Sequence, residues 1–149
     1  MKHLFMTGGY GEIGEAIRLR FEGQGYAVTA PRSRELDLSD LKNIEPYVKT
    51  LDAKVDVLIH CAGYNNPRDF VKDYDQGEFE KTMNINAMAF YELVHALLVH
   101  DKLADGAYIL GVSSIYGSVA RRGRFAYVAS KHSMNGMVKA LTLELAPRN

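Results

Sequence analysis

The sequence has a single cysteine, Cys61, no tryptophan, four prolines and no excess of either charge sign. One cysteine excludes an intramolecular disulfide, so a reducing, cytoplasmic setting fits better than a secreted one. Eighteen Lys and Arg balance eighteen Asp and Glu, leaving no basic footprint for nucleic acid. No apolar run approaches the roughly 18 residues that a membrane-spanning helix needs. The segment from Met1 to Met6 breaks into glycines too soon for a signal peptide. The five histidines and the cysteine show no ligand spacing, so no metal site is expected. Repeats, low-complexity tracts and Pro-rich linkers are missing as well. With 149 residues, 47% of them hydrophobic, the chain reads as one domain over residues 1–149 that can bury a full core.

What is present alternates short β-branched runs with longer amphipathic stretches, the pattern of βαβ units and a parallel sheet. Strands are expected at Leu4–Met6, Tyr26–Ala30, Val55–Ile59 and Ala107–Val112, the last two buried, with a short further strand at Glu35–Leu38. Helices are expected at about Glu12–Glu22, with Ile13, Ile17 and Phe21 on one face, and from Asp40 to about Leu51, capped by Ser39. Two longer ones follow, at about 76–100 and 127–145. Their residues Phe79, Met83, Phe90, Leu93, Val94, Leu97, Met134, Met137, Val138 and Leu141 read mostly as core.

Three motifs carry chemistry. Thr7-Gly8-Gly9-Tyr10-Gly11-Glu12-Ile13-Gly14 lies between the first strand and the first helix, with glycines at 8, 11 and 14. Such a turn lets a pyrophosphate approach the backbone at a helix N-terminus, where free N–H groups favour an anion. Gly8, Tyr10, Gly11, Glu12, Ile13 and Gly14 are therefore candidate dinucleotide contacts. Tyr127 and Lys131 stand one helical turn apart on one face. An ammonium so placed makes the phenol a better proton donor or acceptor. Ser114 follows a strand at its carboxyl end, thirteen residues before Tyr127. It can hydrogen-bond the substrate oxygen that the phenol protonates, whereas Ser113 reads as a loop residue. Tyr64–Asn66 and Ala120–Arg124 are candidate pocket rims.

In this order and spacing the Thr7–Gly14 turn, Asp37-Leu38, His60-Cys61-Ala62-Gly63, Asn84-Ile85-Asn86, Ser114 and Tyr127–Lys131 resemble a short-chain dehydrogenase/reductase, over essentially the whole chain. The resemblance implies a Rossmann-like, doubly wound parallel sheet in three α/β/α layers, lacking the usual last strands and the substrate lid. It also implies an oxidoreductase that transfers hydride between a nicotinamide cofactor and a small carbonyl or alcohol substrate. Tyr127 would be the general acid/base. Lys131 would bind the nicotinamide ribose and tune Tyr127. Ser114 would orient the carbonyl, and Asn86, rather than Asn84, would hold a water of the proton relay. Cys61, Ala62 and Gly63 would pass under the cofactor, and Asp37 and Leu38 would flank the adenine. The helices at about 76–100 and 127–145 would join subunits into a homodimer or homotetramer.

Departures from the family pattern keep other readings open. Glycines at 8, 11 and 14 match the branch rich in nucleotide-sugar epimerases and dehydratases, while the rest matches the shorter reductases. A non-catalytic dinucleotide-binding protein is the third reading. No carboxylate ends the second strand, where Arg32 stands in the stretch Pro31-Arg32-Ser33-Arg34. An arginine there accommodates a 2′-phosphate, which favours NADP over NAD. Full family members run to roughly 250 residues, at the large end for one domain. The strand around Ile109 is therefore expected to be an apolar edge, in a fragment or in a chain that relies on a partner.

Overall fold

A computed structural model describes residues 1–73 and 75–148; Tyr74 and Asn149 lie outside the described residues. The chain forms β1 (His3–Thr7), α1 (Glu12–Gly23), β2 (Ala27–Thr29), α2 (Ile44–Lys49), β3 (Val55–His60), α3 (Gln76–Met83), α4 (Ala89–Val99), β4 (Leu103–Gly111) and α5 (Phe125–Leu145). The four strands make one parallel sheet in the order β2-β1-β3-β4. Because strands are added on one side of β1 and then on the other, the connections diverge between β1 and β3. A crevice opens there at the carboxyl ends, where such sheets bind ligands. Thr7 pairs with His60, and His60 with Gly111, at that edge.

The alternation of side chains along each strand feeds two cores. Leu4, Met6, Val57 and Ile59 face α1 through Ile17 and Phe21. Phe5 and Leu58 face the opposite layer, with Ile44 and Val48 of α2, Phe90, Leu93 and Leu97 of α4, and Met134 of α5. Burying one such side chain contributes about 1.5–3 kcal/mol, so these two layers set the sheet's position. The expected Rossmann-like α/β fold is the one observed.

Several local expectations are corrected. Glu35–Leu38 is not a strand: Glu35 and Leu36 donate their N–H groups to Arg32 O, and the Asp37 carboxylate accepts both the N–H and the hydroxyl of Ser39. Side-chain bonds of this kind compete with a ladder, yet Leu36 and Leu38 still turn inward. With its hydroxyl so engaged, Ser39 does not cap the next helix; Asp40 accepts from Lys42 N at 3.2 Å instead. Ile13 is exposed, because Gly14 takes the contact with the β1–α1 turn. Phe79 stacks beside Phe125, outside the main core. The helix expected over 76–100 contains one π turn, Asn84–Met88, between α3 and α4. The last strand is the apolar edge expected above and not the buried strand that its apolar run suggested: Tyr108 and Leu110, in register with Val57 and Ile59, are 69% and 46% exposed. α1 does not reach over them, so the strand is apolar but only half buried.

Candidate active site

The β1–α1 turn is built by close backbone packing. Gly8 has φ +69°, and a Cβ there would lie 2.6 Å from Ala62 N. A Cβ on Gly14 would collide with Gly8 O. Gly11 differs, since a Cβ there would meet only Gly8 O, at 3.6 Å. It caps α1 and brings no side chain to the first N–H groups of the helix. Gly8→Ala should therefore lower the melting temperature by several degrees, through a strained φ and a backbone clash worth about 2 kcal/mol or more. Gly11→Ala should leave it near wild type. Thermal unfolding followed by circular dichroism reads both, and a Gly8→Ala protein as stable as wild type would contradict the packing argument.

Gly8, Tyr10, Gly11, Arg32, Asp37, Leu38, Ala62 and Gly63 line one cleft, together with Thr7, Tyr64 and Ile85. The remaining candidates divide. Glu12 and Ile13 are exposed at the start of α1. Gly14 is spent on packing, and the Cys61 side chain packs against the α1-side core, where burial pushes its thiol pKa up. The Arg32 guanidinium lies 3.6 Å from the Tyr10 ring centroid, with Arg18 at 4.9 Å from the same ring. The Asp37 carboxyl is held below the usual carboxylate range by its two bonds to Ser39.

Beside Gly63 and Tyr64 of the cleft, Asn86, Tyr127 and Lys131 come together, and Ser114 is joined to them through Tyr116. Asn86 is fully buried. Its Oδ1 accepts from Tyr64 N at 2.6 Å, and its Nδ2 donates to Tyr64 O at 2.9 Å and to Ser130 Oγ at 3.0 Å. Ser130 in turn donates to Tyr127 O at 2.8 Å. Lys131 Nζ donates to Val112 O at 2.8 Å and lies 5.6 Å from the Tyr127 ring centroid. Burial holds the Lys131 ammonium below its ordinary pKa. A Cβ on Gly63 would lie 3.9 Å from Asn86 Oδ1 and 4.0 Å from Lys131 Nζ, so both groups converge on that glycine. Ser114 Oγ accepts from Tyr116 N at 3.2 Å, and the Tyr116 ring stands edge-on to Tyr127 at 6.1 Å. Ser113 faces the Lys131 carbonyl, and Asn84 reaches Ser39 O at 2.9 Å, away from this cluster.

The two candidate rims are joined. Arg124 donates to Asn65 Oδ1 at 2.7 Å, Arg68 N to Gly123 O at 3.1 Å, and Arg122 pairs with Asp69 at 3.6 Å. Ser130 and Tyr116 escaped the sequence reading as members of the site, while Tyr64 was read only as a pocket rim and His60 only as part of the His60–Gly63 stretch. His60 also carried a signal of its own, a polar residue at the end of a buried and mostly apolar strand. Among the described residues no group of three or more His, Cys, Asp or Glu converges as a metal site would. No described helix is long and apolar enough to cross a membrane.

Known proteins share this fold. The family model for short chain dehydrogenases matches residues 32–149. The 3-ketodihydrosphingosine reductase of Bos taurus is 27% identical over 99% of this chain and 53% of its own length. The 3alpha-hydroxysteroid dehydrogenase of Mediterraneibacter gnavus is 29% identical over 99% of this chain and 69% of its own. A solved 4-hydroxyisoleucine dehydrogenase, complexed with NADH, superposes with a TM-score of 0.91 at 25% identity, over 100% of this chain and 71% of that one. The chain spans about half the length of the bovine relative. By the match over residues 32–149 and by its fold, the chain belongs to the short-chain dehydrogenase family.

Proposed function

We propose that the chain carries the cofactor site and proton-transfer residues of an NADP-dependent reductase of small carbonyl compounds, or of the reverse alcohol oxidation. The convergence of Asn86, Tyr127 and Lys131 beside Gly63 supports this reading most directly. The cleft fits a nicotinamide dinucleotide: Gly8, Gly11, Ala62 and Gly63 line it with little or no side chain, and the close packing of Gly8 on Ala62 brings the two backbones together there. When bound, the dinucleotide supplies or accepts the hydride at the substrate carbon. In the reducing direction Tyr127 gives its hydroxyl proton to the carbonyl oxygen, and Ser114 donates a second hydrogen bond that orients that oxygen. Lys131 stabilises the charge left on the Tyr127 oxygen and would hold the ribose of the bound nicotinamide. Asn86 fixes the Tyr64 backbone and Ser130 around them, at the start of the path that returns a proton from solvent.

Arg32 supports the NADP preference, because stacking on Tyr10 holds its guanidinium at the cleft rim before any ligand arrives. Fluorescence titration should show NADPH binding at least ~10-fold tighter than NADH, the size of one charge-assisted contact. Arg32→Glu should remove that preference. Equal affinities in the wild-type protein would sink the NADP reading, and binding of neither dinucleotide would sink the cofactor reading itself. A cytoplasmic location fits the single free thiol. A homodimer or homotetramer fits the exposed Tyr91 and Val99 on α4 and Leu143 on α5.

A further inference from the structure

His60 is fully buried at the carboxyl end of β3, walled by the Phe90 ring at 6.0 Å. Its two ring nitrogens have different partners. Nε2 faces Ile85 O at 2.9 Å, and a carbonyl only accepts, so Nε2 carries the proton. Nδ1 faces Thr7 Oγ1 at 2.9 Å and must then accept, which makes the Thr7 hydroxyl the donor. The same Thr7 oxygen accepts the Ala62 N–H at 3.3 Å. Every polar atom in this chain of bonds is satisfied in one arrangement only. A proton moved to Nδ1 would leave Ile85 O facing a lone pair.

The two ends of the chain matter. Thr7 is the last residue of β1 and immediately precedes Gly8 of the glycine turn. Ile85 lies in the π turn, where Ala89 N–H reaches back five residues to Asn84 O. Such turns widen the helix and displace carbonyls that outside donors can hold. The Ile85 carbonyl shares a rigid peptide plane with Asn86 N. Holding Ile85 O therefore holds the peptide that delivers the Asn86 Cα, and the helical backbone of the π turn then sets the direction in which its side chain leaves. Asn86 depends on that direction for all three of its hydrogen bonds.

We propose that His60 is a positioning residue, whose Nε2-protonated ring ties the glycine turn at Thr7 to the π turn that carries Asn86. Cofactor seat and proton-transfer cluster are thereby held in one mutual geometry. The functional meaning of that geometry rests on the reading given above for Asn86 and Tyr127; the linkage itself does not. Burial keeps the ring uncharged, with its pKa lowered to about 4, and the nearby Lys131 charge acts in the same direction.

The two nitrogens can be tested separately. In His60→Asn the amide oxygen can stand where Nδ1 accepts from Thr7, but nothing reaches Ile85 O. In His60→Gln the amide nitrogen can stand where Nε2 donates to Ile85 O, but the acceptor for Thr7 is lost. Steady-state kinetics and NADPH titration should then split. His60→Asn should lower kcat by about 10-fold with dinucleotide affinity nearly unchanged, and His60→Gln should weaken that affinity by a similar factor with kcat largely kept. A merely structural histidine would show equal losses of both quantities in both variants, and that result would overturn the proposal.

Two NMR readouts need no turnover. In the wild-type protein the imidazole ¹⁵N shifts should report a protonated Nε2 and a bare Nδ1, unchanged between about pH 5.5 and 8. The Asn86 side-chain amide signals should move in His60→Asn and stay in place in His60→Gln. A proton on Nδ1, or Asn86 signals indifferent to both variants, defeats the linkage even if the enzyme reading stands. Correct NMR signatures in a protein that reduces no carbonyl would defeat the enzyme reading and leave the linkage intact.

Discussion

Tyr127→Phe is expected to reduce carbonyl turnover by about 10²–10⁴-fold, the usual contribution of a positioned acid or base, while NADPH affinity stays within about threefold. The substitution removes one oxygen and little else. The ring keeps its edge-on contact with Tyr116 at 6.1 Å and its place 5.6 Å from Lys131 Nζ. Its backbone carbonyl still accepts from Ser130, so the Asn86–Ser130 bonds survive. The loss would thus fall on kcat and kcat/KM together, as expected when an interaction made in the transition state is deleted. Stopped-flow or steady-state loss of NADPH absorbance with a carbonyl panel, beside NADPH fluorescence titration, measures both quantities. A Tyr127→Phe protein that turns over at wild-type rate would remove Tyr127 from the chemistry and leave Lys131 and Asn86 as structural polar residues.

How much of this was legible in the sequence depends on whether a residue's partner is near it in the chain. The glycine turn was legible because strand, turn and helix are consecutive, and the Tyr127–Lys131 pair because helical geometry places i and i+4 together. The buried strand β3 was legible as a run of apolar residues. Glu35–Leu38 misled because its apolar alternation is real, Leu36 and Leu38 being buried, while the backbone bonds that decide its conformation are taken by Arg32, Glu35 and Asp37. β4 was read in two ways, as a buried strand from its apolar run and as an apolar edge from the family resemblance, and the sheet order shows the second. Composition does not tell a central strand from an outer one when covering elements are set by topology. The π turn and the bonds that His60 makes were illegible in the sequence. Their connection spans 25 residues between His60 and Ile85 and 53 between His60 and Thr7.

That same histidine should make the fold acid-labile in a window where few carboxylates titrate. An unfolded histidine ionises at about 6.5, whereas burial lowers the folded value of His60 to about 4. Between those values the unfolded chain binds a proton that the folded chain refuses, so stability must fall as pH falls. The contribution is complete above about pH 6.5 and lost progressively toward pH 4. At 1.36 kcal/mol per pKa unit it amounts to about 3 kcal/mol over the whole window, and about 2 kcal/mol between pH 7 and 5. Asp37, Glu45 and Glu78 also have lowered pKa values, through hydrogen bonds from Ser39, from Lys49 and His100, and from Asn66 and Tyr64. Asp37 and Glu45 are exposed and Glu78 is half-buried, but the effect of all three begins only below their ordinary values near 4, so they steepen the acid end of the curve rather than its start. Urea unfolding at a series of pH values should show the decline in the wild-type protein. In His60→Gln, which keeps the donor to Ile85 O and cannot ionise, the free energy should be nearly flat from pH 7 to 5. An unchanged slope in that variant would mean that the proton is taken up elsewhere. If His60 is charged in the folded state, its Nδ1–H would have to face a Thr7 hydroxyl whose own proton must then turn away, and the wild-type decline would vanish. A flat curve in the variant and a falling one in the wild type together would locate the acid sensitivity at the bond between β3 and the π turn.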